Sequence, residues 1–153
     1  MIRTLLRLLL AFLYLIAGVL HIVAPGPFLS IMPGGVPYPD AIVFLTGVAE
    51  LLGAIALAQG WSLRLRRAGA IGLALYAVCV FPANINHFAL DMARPDNGLG
   101  LAYHIPRMIA QPIIVWWALW VGGVTDWPFR RRHIYLKRAR PVSSCASRRH
   151  RSS

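Results

Sequence analysis

The sequence predicts an all-α fold, a polytopic membrane protein in which four transmembrane helices form one bundle. Three observations predict it. Of 153 residues, 58% are hydrophobic and 14% charged, with a mean hydropathy of +0.59, far greasier than a water-soluble domain of this size. Four apolar runs are each long enough to cross a hydrocarbon core of roughly 30 Å at about 1.5 Å per residue. Within the runs, the few polar residues recur at helical spacing. The same composition excludes a soluble enzyme domain, and the apolar content excludes a disordered chain.

The first run, Leu8 to Ala24, follows Arg3 and Arg7. Pro25 would stand beside any cleavage point after Ala24, and the stretch exceeds the apolar region of a secretory signal, so it reads as an uncleaved first span. From Pro25 to Pro39, repeated Pro and Gly break any continuous helix. The remaining residues there are mostly apolar, which fits a loop lying on or dipping into a membrane interface, or a plain connection. The second run goes from Ala41 to Gln59, and Arg64, Arg66 and Arg67 close it. The third runs from Ala68 through Phe81-Pro82-Ala83-Asn84 to Leu90 without a Lys, Arg, Asp or Glu. A polar loop, Asp91 to Tyr103, leads to the fourth run, Ile105 to Thr125. Trp120 and Trp127 at its end suit a headgroup boundary.

A formal charge of +11 invites a nucleic-acid reading, but its placement excludes one. Arg130, Arg131, Arg132, Lys137, Arg138, Arg140, Arg148, Arg149 and Arg151 all follow Asp126, the last acidic residue. Residues 1–128 form the expected membrane domain. Residues 129–153, basic and Ser-rich, read as a disordered cytoplasmic tail drawn to anionic lipid. Arg3, Arg7, Arg64, Arg66, Arg67 and the tail fall on one side of a four-span arrangement, with Arg94, Asp40, Asp91 and Asp96 on the other. By the positive-inside rule both termini are cytoplasmic, and the expected location is a bacterial cytoplasmic membrane. Cys79 and Cys145 form neither a CxxC pair nor a zinc cluster.

Ionisable groups inside a bilayer are costly unless paired or hydrated, so their positions point to function. Tyr14, Gly18 and His21 share one face of the first span, and Thr46, Glu50 and Gly53 one face of the second. Asn84, His87 and Asp91 do so in the third, and His104, Arg107 and Gln111 in the fourth. Four inward-facing stripes would meet in the outer half of the bundle. The simplest arrangement is contact between Glu50 and Arg107, direct or through water, with Asn84 and Gln111 completing the hydrogen bonds. The candidate ligand-binding residues are therefore His21, Glu50, Asn84, Arg107 and Gln111, with Glu50 the best catalytic candidate. Pro82, Pro106 and Pro112 would free carbonyls near that depth. The competing reading is a buried polar network that only fixes helix register. His21, His87 and His104 could gather at the outer rim as metal ligands, but the spacing favours capping and interfacial hydrogen bonds, and no metal is expected. Gly47, Gly53, Gly69 and Gly72 are expected to let helices approach closely.

Ala17-Gly-Val-Leu-His21, Ile31-Met-Pro33 with Pro37-Tyr-Pro39, Leu45-Thr-Gly-Val-Ala-Glu50-Leu-Leu-Gly53 and Val80-Phe-Pro-Ala-Asn84 together resemble the DoxX-like membrane proteins over residues 5–125. The resemblance implies a small four-helix membrane bundle, with the family's His, Glu and Pro-Ala-Asn positions at His21, Glu50 and Pro82 to Asn84. Gly34 and Gly35 stand where that family usually has bulkier residues. The family's associations with thiosulfate:quinone oxidoreduction, thiol redox complexes and methylamine dehydrogenase maturation imply a quinone-interacting or redox-complex accessory subunit rather than a stand-alone enzyme. Quinone is then the expected cofactor, with Glu50 as proton acceptor and Arg107 with Asn84 as headgroup binders. The chain has no cysteine pair, haem-ligand pair or flavin motif of its own. The alternative is a non-enzymatic assembly or chaperone-type factor that binds another membrane protein. Transport by four spans would need dimerisation, and a homo-oligomer is compatible with either main reading. Expected partners are membrane lipid and another membrane or redox protein, with no nucleic acid.

Overall fold

The computed structural model describes residues 1–127; the basic tail expected from residue 129 lies outside them. Among the described residues the chain is all-helical: α1 (Ile2–Val23), α2 (Gly26–Leu29), α3 (Pro39–Ala58), α4 (Leu63–Met92) and α5 (Leu101–Gly122). By length and composition α1, α3 and α4 can each cross a membrane. Helix α5 has 22 residues, but Arg107, Gln111, two prolines and three tryptophans lower its apolar average. At most a third of each apolar window is buried, with 28% in α1, 33% in α3 and 28% in α4. Large apolar side chains such as Leu5, Phe12, Phe44, Leu52, Leu75 and Ile113 therefore face outward, the surface expected of a protein surrounded by lipid.

Local signals set the helix ends. Helix α1 stops at Ala24, immediately before Pro25. Tyr38, held in the left-handed region at φ 49°, turns the chain into Pro39, the first residue of α3. Gln59 closes the turn between α3 and α4: its Nε2 donates to the carbonyls of Ala56 (3.1 Å) and Ser62 (2.7 Å), and its Oε1 accepts from the Ser62 N–H (2.8 Å). The Ser62 hydroxyl then caps α4 by accepting from the Leu65 N–H. Helix α4 therefore begins before Arg64, Arg66 and Arg67, which lie in its first two turns rather than in a connecting loop. At the other end, Asp96 sits in the α4–α5 loop, where the Gly98 N–H and the Arg94 guanidinium hold its carboxyl below the usual range.

Neighbouring helices pack in sequence, α1 on α3, α3 on α4 and α4 on α5, and a smaller contact from α5 back to α1 closes the bundle. Small residues bring the axes together. A Cβ at Gly18 would lie 2.8 Å from the Gly47 carbonyl oxygen, and one at Gly47 would lie 2.8 Å from the His21 Cβ. Gly69 fits against Ala56 and Gly122 against Ala70 in the same way. Gly72, expected among these close approaches, faces open space. Leu10, Leu57, Leu73, Ala70, Ala118 and Val121 fill the core towards the arginine-rich end. The polar residues occupy the opposite end.

Candidate functional site

The polar stripes converge on one cavity of about 580 Å³, walled mainly by apolar side chains. His21, Glu50, Asn84, Arg107 and Gln111 all line it. The segment between α1 and α3 forms part of its wall through Phe28, Ile31, Met32, Pro33 and Val36. The Asn86 Nδ2 ties this segment to α4 by donating to the Ile31 carbonyl (3.0 Å). It is therefore a cover over the cavity rather than a plain connection. Gly34 and Gly35 have open space at the position of a side chain, so bulkier residues would fit there as well.

The Gly18–Gly47 seam places His21 beside Glu50. Both are buried, at 8% and 3% exposure, and His21 Nδ1 lies 2.9 Å from Glu50 Oε2. The same Nδ1 is 2.9 Å from the Ala17 carbonyl oxygen. One ring N–H cannot serve both acceptors well. The helix carbonyl receives the aligned bond, and Glu50 Oε2 is left buried without a hydrogen bond. The His21 ring stacks on Phe28 of α2 with centroids 3.7 Å apart. From α4, the Tyr76 hydroxyl reaches the Glu50 carboxylate. Tyr14 meets Tyr76 edge-on at 6.3 Å. Trp117 also lines the cavity, and its Nε1 is a buried donor without an acceptor.

Asn84 and Gln111 pair as expected: Asn84 Nδ2 donates to Gln111 Oε1 (3.0 Å), and Gln111 Nε2 donates to the Ala77 carbonyl. That carbonyl immediately precedes the one at Val78, which loses its helical donor because Pro82 has no N–H. Replacing Gln111 by leucine leaves Asn84 Nδ2 without its acceptor, an expected cost of about 1–3 kcal/mol. Thermal unfolding in detergent tests this, and the Asn84→Leu/Gln111→Leu protein should melt above the Gln111→Leu single variant.

The expected direct contact between Glu50 and Arg107 is not formed. Glu50 pairs with His21, whereas Arg107 Nη1 donates to His87 Nδ1 (2.7 Å) and approaches the Tyr103 hydroxyl (3.4 Å). Arg107 lies only two turns into α5, near the α4–α5 loop, and Glu50 lies three turns into α3, so they occupy different levels of the cavity. The three histidines do not gather either. His21 stays with Glu50, while His87 and His104 flank Asp91, with His104 Nε2 at 2.9 Å and His87 Nε2 at 3.5 Å from Asp91 Oδ2. The same oxygen accepts the Leu99 N–H (3.1 Å), tying the loop to the end of α4. Asp91→Ala should therefore lower the melting temperature and speed proteolysis between residues 93 and 100, whereas Asp96→Asn should do neither.

Donor atoms of His87, Asp91 and His104 lie within 4.8 Å of one another, close enough to hold a metal ion. The hydrogen bonds do not suit one. His87 Nδ1 accepts from Arg107, a cation that cannot lose its proton, so in neutral His87 the proton sits on Nε2, the nitrogen facing Asp91. Ligation through Nε2 would require an imidazolate or the departure of Arg107. The arrangement is better described as two hydrogen-bonded pairs, Arg107 with His87 and Asp91 with His104, joined by the 3.5 Å approach of His87 Nε2 to Asp91.

Tyr76 was absent from the residues singled out by spacing, although it lies eight residues before Asn84, on the same face of α4. Residues 10–122 match the model of a family described as a domain of unknown function, DUF8561. The chain belongs to that family. No curated protein and no solved structure matches it. Every residue of the cavity wall, from Leu10 to Trp117, lies within the DUF8561 segment.

Proposed function

We propose that this DUF8561 protein is a four-span integral membrane protein, with α5 as the fourth span, that binds the polar head of a lipophilic quinone or quinol in its bundle cavity. In this reading it is a DoxX-like accessory subunit of a redox complex in a bacterial cytoplasmic membrane, with both termini cytoplasmic. One observation carries the binding proposal: Glu50 Oε2 is a buried acceptor without a hydrogen bond on the wall of a largely apolar cavity. Ligand sites commonly combine an apolar wall with a few convergent polar groups. The head would be held by Glu50, which can accept a hydroxyl proton, and by Arg107 and Asn84. The isoprenoid tail would lie against residues such as Leu10, Leu13, Val80 and Ile114. Electrons would come from or go to a partner protein, and this chain's residues would orient the head and exchange protons with it.

Saturable quenching of tryptophan fluorescence by a short-chain quinol tests the reading, because Trp117 is on the cavity wall. Glu50→Gln and Arg107→Gln should each weaken binding by about tenfold or more, the loss of one hydrogen bond to a charged group. Quenching that never saturates, or that is identical in the parent and both variants, would overturn it. A protein partner recovered equally with the parent and Glu50→Gln would then favour the assembly-factor alternative.

A further inference from the structure

A second cavity, about 340 Å³, lies at the opposite end of the bundle and is lined by Arg3, Arg7, Arg66, Arg67 and Asp126 among others. Two of these arginines are engaged. Arg3 bonds to Asp126 at 3.1 Å and to the Trp120 carbonyl, and its guanidinium lies 5.5 Å from the Trp120 ring. Arg67 Nε donates to the Gly123 carbonyl (3.0 Å). Arg7 and Arg66 differ. The Nε atom of each is buried without an acceptor, and their like charges repel one another. Among the described residues Asp126 is the only acidic one on the wall, and Arg3 takes it.

Guanidinium groups keep their charge at any physiological pH, so an anion that reaches these two like charges and their buried, unmatched Nε–H groups would relieve the repulsion and supply the missing acceptors. An anion with several oxygens on one centre matches guanidinium forks best, because each fork can be met by two oxygens. Leu63, the first residue of α4, also lines the cavity, so the positive end of that helix adds to the attraction. We propose that this cavity binds a phosphate group between Arg7 and Arg66, as the headgroup of an anionic phospholipid or as a free phosphate anion. The lipid source rests on the membrane reading above; the anion site itself does not.

The full chain in detergent is heated with phosphatidylglycerol, phosphatidylcholine or inorganic phosphate at constant ionic strength. A saturable rise in melting temperature with phosphatidylglycerol alone identifies a lipid headgroup, and a rise with inorganic phosphate as well identifies a general phosphate site. In Arg7→Gln/Arg66→Gln the midpoint of that response should weaken by about tenfold or more. Arg64→Gln, whose arginine is outside the cavity lining, should respond like the parent. No rise with either anion, an equal rise with phosphatidylcholine, or an unchanged response in the double variant would overturn the proposal. Should the double variant not fold, Asp126→Asn decides: removing the competing carboxylate should strengthen the response by about threefold or more, and an unchanged or weaker response would count against the site. Quinol quenching at the opposite cavity is a separate readout, so failure here leaves that proposal standing.

Discussion

Gly47→Leu is expected to destabilise the bundle by about 3 kcal/mol or more, at the upper end for overpacking a tight interior. At Gly47 a Cβ would stand 2.8 Å from the His21 Cβ and 3.0 Å from the Gly18 carbonyl oxygen. Neither obstacle is the movable tip of a side chain. One is main chain, and the other is an atom fixed directly to the main chain of α1. Relief therefore requires α1 and α3 to separate, which also pulls His21 away from Glu50 and lifts the ring from Phe28. The matching control is Gly72→Leu, which meets nothing within 4 Å and should stay within about 0.5 kcal/mol of the parent. Thermal unfolding in one detergent compares the three proteins. A Gly47→Leu protein that melts with the parent would show that the seam between α1 and α3 tolerates a side chain.

The same glycines explain what could and could not be read from the sequence. Spacing within a run identifies the face of a helix, because successive side chains turn by a fixed angle. It therefore found the inward faces carrying His21, Glu50, Asn84, Arg107 and Gln111, and these residues do line one cavity. Spacing says nothing of how far one helix slides along another. That offset decides partners, and here Gly18 against Gly47 gives Glu50 to His21, while the loop-proximal start of α5 gives Arg107 to His87. Charge does not mark the helix starts either. Arg3 and Arg7 lie inside α1, and Arg64, Arg66 and Arg67 lie inside α4, because long basic side chains can carry their charge outward from a helix that continues beneath them. Tyr76 is not legible in the sequence because an aromatic residue in an apolar run resembles packing, and only its hydroxyl near Glu50 sets it apart. Phe28 has no role in the sequence pattern, because only the fold of the covering segment brings it onto His21.

His21→Leu should cost more than Glu50→Leu, because the two residues depend on each other unequally. Without Glu50, His21 can remain a neutral imidazole, keep its bond to the Ala17 carbonyl and keep its stack on Phe28. The expected cost is about 1–3 kcal/mol, that of one lost buried polar contact. Without His21, the carboxylate stays buried with Tyr76 as its remaining neighbour in hydrogen-bonding reach, and the stack on Phe28 is lost as well. Removing one partner of a buried pair in this way costs about 3–5 kcal/mol. The His21→Leu/Glu50→Leu protein, with both polar groups gone, should melt above His21→Leu alone. Equal losses in the two single variants, adding without interaction in the double, would mean that the 2.9 Å contact carries no coupling. If the proposed site is right, a quinol should raise the melting temperature of His21→Leu more than that of the parent, since its hydroxyl offers a donor to a carboxylate that no longer has the His21 ring beside it. A purely structural pair would show the inequality without that rescue.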